Sequence, residues 1–208
     1  MRIIDALADL LLGAQCPGCD VARWGFCPGC WAGLDAPPAP APRVSGLRIV
    51  AANNYRPLLS SAIPRYKDDG ALHLERALGL RLAVAVAALD PPAGTLLVPV
   101  PSKPSAVRAR GFDHGARLAE RAGRVLGLRR RRALVRRRHG ADQQGLGAAA
   151  RSANLAGVMR ARGPLGKVVI VDDVVTTGSS LQEAWRALSE GGAEVLGAAV
   201  IGDADTSL

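Results

Sequence analysis

Two adjacent acids followed by a turn of hydroxyl-bearing residues carry the clearest chemistry in the chain. Asp172 and Asp173 follow a β-branched apolar run at 168–171, and the turn from Thr176 to Ser180 has the sequence TTGSS. Such a run predicts a strand covered on both faces, and ligands bind beyond the carboxyl ends of such strands. The acids can accept hydrogen bonds from two sugar hydroxyls while the turn holds a phosphate. The pattern therefore predicts a sugar-phosphate site.

A helix is expected after this turn. Apolar residues recur at helical spacing from Leu181 to Leu188, and the pair Gly191-Gly192 ends the pattern. The first turn of this helix would direct N–H groups and a favourable dipole at a phosphate. A generic strand, turn and helix with a solvated acidic pair is the alternative interpretation. A Walker A loop is excluded, because no lysine follows Gly178.

All four cysteines lie between residues 16 and 30, in two Cys-Pro-Gly-Cys pairs. Each Pro-Gly turn directs two thiolates at one point, and two facing turns make the tetrahedral sulfur site typical of structural zinc. Two disulfides or a redox pair are the alternatives. A reducing compartment argues against the disulfides, and the duplication argues against a redox pair. We predict one structural zinc ion held by Cys16, Cys19, Cys27 and Cys30.

Aromatic residues flank the cysteines at Trp24, Phe26 and Trp31. They could stack on nucleic-acid bases. A small metal module also needs an apolar core of its own, and this second interpretation is favoured.

The chain of 208 residues carries a formal net charge of +9 and has a sequence pI of about 10.4. This balance favours a polyanionic partner, either nucleic acid or a pyrophosphate substrate, although a solvated arginine-rich surface gives the same composition. Seven arginines lie from Arg129 to Arg138. This tract is the candidate surface for single-stranded DNA or for pyrophosphate.

Nothing in the sequence predicts membrane insertion. No apolar run approaches the ~20 residues that span a bilayer. Asp5 and Asp9 interrupt the first apolar residues, which have the spacing of an amphipathic helix and not the pattern of a signal peptide. We expect a cytoplasmic protein.

Composition divides the chain into three parts. Residues 1–35 hold an N-terminal helix and the cysteine module, residues 36–43 form a proline-rich linker, and residues 44–208 form an α/β domain. Helices are predicted at 55–66 and 72–89, and another begins after Asp113 as its N-cap. Apolar runs predict the strands at 47–52, 95–100, 133–135, 168–171 and 195–201.

Further segments carry candidate catalytic groups. Lys67 precedes a turn, and Arg108 and Arg110 follow the strand at 95–100. Gln143 and Arg151 belong to a glycine-rich stretch that we interpret as a mobile loop able to close over a site. An exposed lysine and an ordinary surface loop are the alternatives.

Together these segments resemble the ComF family of phosphoribosyltransferase-like proteins, which includes competence proteins. The resemblance covers nearly the whole chain and depends on the paired CPGC motifs, on VPVP followed by RARGFDHGARLA, on QQGLGAAARSANL and on VVIVDDVVTTGSS. It implies a type I phosphoribosyltransferase-like fold, with a mostly parallel sheet and helices on both faces. The family's loop commonly has a threonine where this chain has Gly140.

The resemblance also implies roles for the site residues. The acids would bind the ribose of phosphoribosyl pyrophosphate (PRPP) and the turn its 5′-phosphate, with Mg²⁺ on the pyrophosphate and ribose oxygens. Residues with catalytic roles would be Lys67, Arg108, Arg110, Gln143 and Arg151. The PRPP-binding residues would be Asp172, Asp173, Val174, Val175, Thr176, Thr177, Gly178, Ser179 and Ser180.

Two functions follow from these expectations. The first is a Mg²⁺-dependent phosphoribosyltransferase that transfers a phosphoribosyl group from PRPP to an acceptor and releases pyrophosphate. The second is a non-catalytic protein of the same fold that binds single-stranded DNA during DNA uptake. The sequence leaves open whether the chain forms a homodimer.

Overall fold

A six-stranded, mostly parallel sheet forms the centre of the protein in the computed structural model, which describes residues 15–136 and 157–204. The strands are β1 (Ala39–Pro40), β2 (Ile49–Asn54), β3 (Leu96–Pro99), β4 (Arg129–Arg130), β5 (Leu134–Arg136), β6 (Met159–Ala161), β7 (Lys167–Val175) and β8 (Glu194–Asp203). The sheet has the order β1-β2-β8-β7-β3-β4, and only β1 runs antiparallel to its neighbour. Strands β5 and β6 form a separate antiparallel pair.

Helices cover both faces of this sheet. They are α1 (Pro28–Leu34), α2 (Leu59–Lys67), α3 (Glu75–Ala87), α4 (Pro104–Arg110), α5 (His114–Leu126) and α6 (Ser179–Glu190), and a 3₁₀ turn (Leu72–Leu74) precedes α3. One apolar cluster joins the sheet to α2, α3 and α5, and a second joins it to α6. The predicted α/β fold class is therefore confirmed. None of the helices in the described ranges has the length and apolar character needed to cross a bilayer.

Strand β7 is longer than the sequence predicts, and this changes the setting of the acids. The apolar run predicts a strand that ends before Asp172, but β7 continues to Val175 because β8 pairs with it as far as Asp203. Asp172 is half-buried, and Asp173 is only 6% exposed. The expectation that both acids follow the end of the strand is therefore wrong.

The other elements match the predicted ones in type more closely than in extent. The long helix expected at 72–89 is divided into the 3₁₀ turn and α3, and the short helix α4 was not predicted. Asp113 caps α5 as expected, because its Oδ1 accepts a hydrogen bond from the Ala116 N–H at 3.2 Å. The strands predicted at 133–135 and 195–201 correspond to β5 and β8.

The proline-rich segment at 36–43 packs against the sheet. Its residues 39–40 form β1 on the edge of β2. The guanidinium of Arg81, 3% exposed, donates to the Ala36 carbonyl at 2.7 Å and to the Asn53 side-chain oxygen at 2.9 Å. The Asn53 amide in turn donates to the Leu34 carbonyl at 2.9 Å. The end of α1 is thereby attached to β2 by buried polar contacts.

Candidate functional site

The turn between β7 and α6 packs against Arg43 and Val44 at Gly178 and exposes the hydroxyls of Thr176 and Thr177. Gly178 has φ +78°, and a Cβ there would lie 2.7 Å from Val44 Cγ2 and 2.9 Å from Arg43 Cβ, so only glycine fits. As the N-cap of α6 it has no side chain to occupy the first N–H groups of the helix. Thr177 is exposed, and its hydroxyl lies 2.9 Å from that of Ser179. The turn therefore presents hydroxyls and a helix N-terminus, the combination that binds phosphate.

Asp173 lies at the centre of a polar network beside this turn. Its Oδ2 lies 3.1 Å from Lys67 Nζ and 3.2 Å from His114 Nε2. Its Oδ1 accepts the Val174 N–H at 2.8 Å. Strand β7, the end of α2 and the start of α5 thus meet at one carboxylate.

The other ring nitrogen of His114 meets an arginine. Arg110 Nη1 lies 3.3 Å from His114 Nδ1, and Ser102 Oγ lies 3.4 Å from the same atom. Arginine can only donate, so Nδ1 accepts and the ring proton is assigned to Nε2, which donates to Asp173. Arg110 is itself held by Asp68 Oδ1, at 3.1 Å from Nε and 2.9 Å from Nη2.

The two acids have opposite electrostatics. Burial acts to raise the pKa of Asp173, but the His114 hydrogen bond and the Lys67 ammonium together hold that pKa well below its usual range. Burial and the adjacent Asp173 charge raise the pKa of Asp172 well above its usual range. The negative charge of Asp173 is therefore balanced by nearby donors and cations of the protein, whereas the charge of Asp172 is not balanced to the same degree.

The order Ser102–His114–Asp173 matches that of a nucleophilic triad, but its geometry does not support such chemistry. A base must accept the serine proton on a free ring nitrogen. Here the lone pair of Nδ1 is also approached by Arg110, which is nearer than the hydroxyl. The network is better suited to holding the Lys67 ammonium and the Asp173 carboxylate in fixed positions.

The structure brings together only part of the residue set predicted from sequence. Lys67 contacts Asp173 directly, and Arg110 reaches the same carboxylate through His114. Arg108 is exposed on α4 and makes no hydrogen bond or ion pair within the described ranges. Gln143 and Arg151 lie outside the described residues.

Two members of the network, His114 and Asp68, were not predicted from the sequence. Asp68 follows Lys67 directly, and His114 follows the capping Asp113 at the start of a helix. A helix that begins near the carboxyl ends of the strands is the signal that could have identified His114.

The four cysteines converge as predicted. Their Sγ atoms all lie within 4.8 Å of one another. The backbone N–H of Cys30 points at Cys27 Sγ at 3.4 Å and lowers the pKa of that thiol to about 7, which favours the thiolate that a metal needs. The backbone N–H of Cys27 donates to Cys16 Sγ at 3.3 Å. Four sulfur donors at one point could hold a metal ion and match the chemistry of structural zinc.

The flanking aromatic residues are mainly structural. Phe26 is buried in the cluster that includes Cys16, and Trp31 packs against it with a centroid separation of 6.4 Å. Trp24 is about half exposed and lies against His73 at 4.9 Å. The apolar core predicted for the module is present, and it is continuous with the core of the main domain.

Arg137 and Arg138 of the basic tract lie outside the described residues, and the described part at 129–136 contributes to two different surfaces. Arg136 turns inward and donates to the Pro101 carbonyl at 2.9 Å. Arg130 and Arg132 instead line an open cleft of about 340 Å³ with arginines of α5. Glu120 lies 3.1 Å from Arg130 and 3.3 Å from Arg124 in this cleft. Its charged residues are Glu75, Arg117, Glu120, Arg121, Arg124, Arg130 and Arg132.

Comparisons with known proteins relate the chain to phosphoribosyltransferases. The phosphoribosyl transferase domain family matches residues 113–207. Among solved structures the chain is similar to an adenine phosphoribosyltransferase, at 16% identity and a TM-score of 0.42, over 84% of this chain and 89% of that one. It is also similar to the allosteric regulatory enzyme of purine biosynthesis, at 19% identity and a TM-score of 0.40 over 60% of this chain, but it spans only 25% of that enzyme's length.

Competence protein F of Haemophilus influenzae is 30% identical over 159 residues, which cover 71% of this chain and 69% of that protein. The matched phosphoribosyl transferase segment contains His114, the acidic pair and the turn before α6. With this identity along most of a competence protein, the chain belongs to the ComF family of phosphoribosyltransferase-like proteins.

Proposed function

We propose that the protein binds PRPP at the carboxyl end of β7 and transfers its phosphoribosyl group to an acceptor. The observation that supports this most is the continuity of three features: the half-buried Asp172, the hydroxyl turn at 176–180 and the N-terminus of α6. A carboxylate suits ribose hydroxyls, and the helix N-terminus suits a 5′-phosphate. Lys67 contacts Asp173, and Arg110 is joined to the same carboxylate through His114, so two cations lie near the acids for a pyrophosphate.

In this reaction the bond between ribose C1 and the pyrophosphate oxygen breaks, and its electron pair leaves with the pyrophosphate. A new bond forms between C1 and the acceptor. Lys67 and Arg110 would stabilise the charge that develops on the leaving oxygens. Carboxylate and hydroxyl oxygens line the site, and these are donors compatible with Mg²⁺. The ion would be held mainly by the pyrophosphate and ribose oxygens and would neutralise the leaving group.

Titration calorimetry with PRPP and Mg²⁺ tests the binding step. The Asp172→Asn/Asp173→Asn double variant should lose binding, because each charge-assisted hydrogen bond removed costs about 1.5–3 kcal/mol. Asp69→Asn is the matched control, since Asp69 is exposed on the turn after α2. Equal PRPP affinity in the double variant and the control would refute the assignment.

A screen for pyrophosphate release across nucleobases and amines then tests turnover. Release that depends on one acceptor supports the transferase. PRPP binding without release from any acceptor contradicts it and supports a binding role.

A second candidate function is single-stranded DNA binding, and the arginine cleft between α5 and β4 favours it. Five arginines face two glutamates there, so the cleft keeps an excess of positive charge. None of the described residues that line it is aromatic, so contacts would be to phosphates and independent of sequence.

Salt titration of DNA affinity tests this candidate. Three phosphate contacts would give a log–log slope of about −2, since each contributes about −0.7 for single strands. Replacing Arg124, Arg130 and Arg132 by serine should flatten the slope, whereas Arg160→Ser/Arg162→Ser on the exposed β6 side should leave most of it. Salt-insensitive binding would exclude a phosphate-backbone site.

We also propose that the cysteine module holds one structural Zn²⁺. All four sulfur donors would be used, which leaves no open position for catalysis. Elemental analysis of purified protein is the test, and a folded chain without metal would contradict it.

A further inference from the structure

We infer that the two acids have different roles: Asp172 presents its carboxylate to the ribose, whereas Asp173 is an internal anchor through which His114 positions Lys67. The ribose role of Asp172 rests on the proposed function. The anchor role of Asp173 rests on contacts within the protein. His114 is a positioning residue in this assignment, because it acts through Asp173.

Asp173 has little capacity left for a ligand. A carboxylate offers about four lone-pair directions on two oxygens. Three are used by the Val174 N–H, the Lys67 ammonium and the His114 ring, at 2.8, 3.1 and 3.2 Å. The residue is also only 6% exposed. A sugar hydroxyl would have to displace one of these donors to reach it.

Asp172 is in the opposite situation. It is half-buried, and its Oδ1 accepts one hydrogen bond, from the Asp173 N–H at 2.9 Å. Its second oxygen accepts none from the described part of the chain. A carboxylate with an open oxygen next to a phosphate-binding turn can receive vicinal ribose hydroxyls without breaking an internal contact.

His114 is fixed from both sides. Asp173 holds Nε2, while Arg110 and Ser102 hold Nδ1. Arg110 is in turn clamped by Asp68, the residue after Lys67. The circuit Lys67–Asp173–His114–Arg110–Asp68 therefore begins and ends on adjacent residues.

Such a closed circuit fixes the place of a flexible lysine. Lysine loses substantial rotamer entropy when it is held in one geometry. Lys67 keeps 31% of its side chain exposed while its ammonium contacts Asp173. Its remaining protons stay available to an anion, and the circuit reduces the entropy that binding would otherwise cost.

Two histidine variants separate positioning from simple packing. His114→Gln keeps one donor and one acceptor, so it should hold PRPP affinity within about threefold. His114→Leu keeps the volume but removes both polar atoms, and it should raise the Kd for PRPP at least tenfold, since it removes the contacts with the charged Asp173 and Arg110. His73→Gln is the control and should leave the Kd for PRPP unchanged. Equal affinities of the leucine variant and the wild type would overturn the positioning role.

Single variants of the acids test the division of roles. Asp172→Asn should raise the Kd for PRPP at least tenfold without lowering the melting temperature. Asp173→Asn should lower the melting temperature by about 5 °C, because it leaves Lys67 and His114 without their shared anion. If Asp173→Asn weakened PRPP binding as much as Asp172→Asn and left the melting temperature unchanged, the two acids would be equivalent ligands and the inference would fail.

Nitrogen NMR of His114 tests the anchor without PRPP. The wild type should show the tautomer protonated at Nε2, and Asp173→Asn should shift that signal while Asp69→Asn leaves it in place. A ring protonated at Nδ1 alone would overturn the anchor even if PRPP binds. If the wild type binds no PRPP, the ribose role of Asp172 fails together with the proposed function. The tautomer of His114 still tests the anchor role of Asp173 independently.

Discussion

Asp172→Asn should stabilise the protein in the absence of ligand, although it removes the proposed ribose contact. Burial and the Asp173 charge raise the pKa of Asp172, so the folded state is strained when this carboxyl ionises at neutral pH. Asparagine has the same shape but no charge, and its Oδ1 can still accept the Asp173 N–H that Asp172 accepts at 2.9 Å. The substitution therefore removes repulsion and keeps the internal hydrogen bond.

The folding free energy that Asp172→Asn can gain has an upper limit, or ceiling. A raised pKa costs 1.36 kcal/mol of folding free energy for each unit above the unfolded value of about 3.9. At pH 7 the cost cannot exceed about 4 kcal/mol, because a group with a still higher pKa is simply protonated. Asp172 is only half-buried and partly screened by water, so we expect a gain smaller than this ceiling. For a chain of this size each kcal/mol gained would raise the melting temperature by about 2–4 °C.

The pH dependence gives the sharper assay. A carboxyl whose folded pKa is raised binds more protons in the folded than in the unfolded state, so wild-type stability falls as pH rises between the two pKa values. Urea unfolding of wild type and Asp172→Asn from pH 4 to 8 should give curves that coincide at the acid end and separate as the pH rises. Asp173 has a lowered pKa, so its contribution is present above the unfolded pKa and is lost as pH falls through the folded one. Asp173→Asn should therefore be destabilising at neutral pH and approach the wild type in acid.

One result would refute this reasoning. An Asp172→Asn variant that is less stable than the wild type at pH 7.5, or that differs from it by the same amount at every pH, would show that the Asp172 carboxylate is compensated in the folded protein. The assignment of opposite electrostatics to the two acids would then be wrong.

For three other substitutions the structure determines the direction of the effect. Cys27→Ser should release the metal and unfold the cysteine module, because the folding energy of such modules is largely metal-binding energy, and elemental analysis with circular dichroism would detect both. Gly178→Ala should weaken PRPP binding at least tenfold in calorimetry, since its Cβ would lie 2.7 Å from Val44 Cγ2 at a left-handed φ. Arg81→Met should destabilise the fold by about 3–5 kcal/mol in urea unfolding, because it leaves the Ala36 carbonyl and the Asn53 oxygen without their buried donor.

The features that the sequence predicts well are contiguous in the chain. The strand, the acids, the turn and α6 follow one another within residues 167–190, so periodicity and turn chemistry are sufficient to identify them. The cysteine site is predictable for the same reason, because two short turns carry all four ligands. Asp113 as a helix cap is another local feature, and it is confirmed.

The features that the sequence does not predict depend on contacts between residues that are far apart in the chain. Lys67 and Asp173 are 106 residues apart, and no spacing rule indicates that they touch. The burial of Asp173 depends on β8, which extends β7 beyond its apolar run. The arginine cleft is a similar case, since Arg117 and Arg124 come from α5 and lie outside the tract that looked most basic in the sequence. In each case a tertiary contact decides the setting of a side chain whose type was already known.

Strand alternation accounts for the opposite settings of the two acids. Side chains of adjacent strand residues point to opposite faces. Val169 and Val171 pack in the cluster with α2, α3 and α5, whereas Val168 and Ile170 pack in the cluster with α6. Asp173 continues the first row and meets Lys67 at the end of α2 and His114 at the start of α5. Asp172 lies in the second row and makes no hydrogen bond to Lys67 or His114. A one-residue step along β7 therefore separates a carboxylate that stabilises the fold from one that remains available to a ligand.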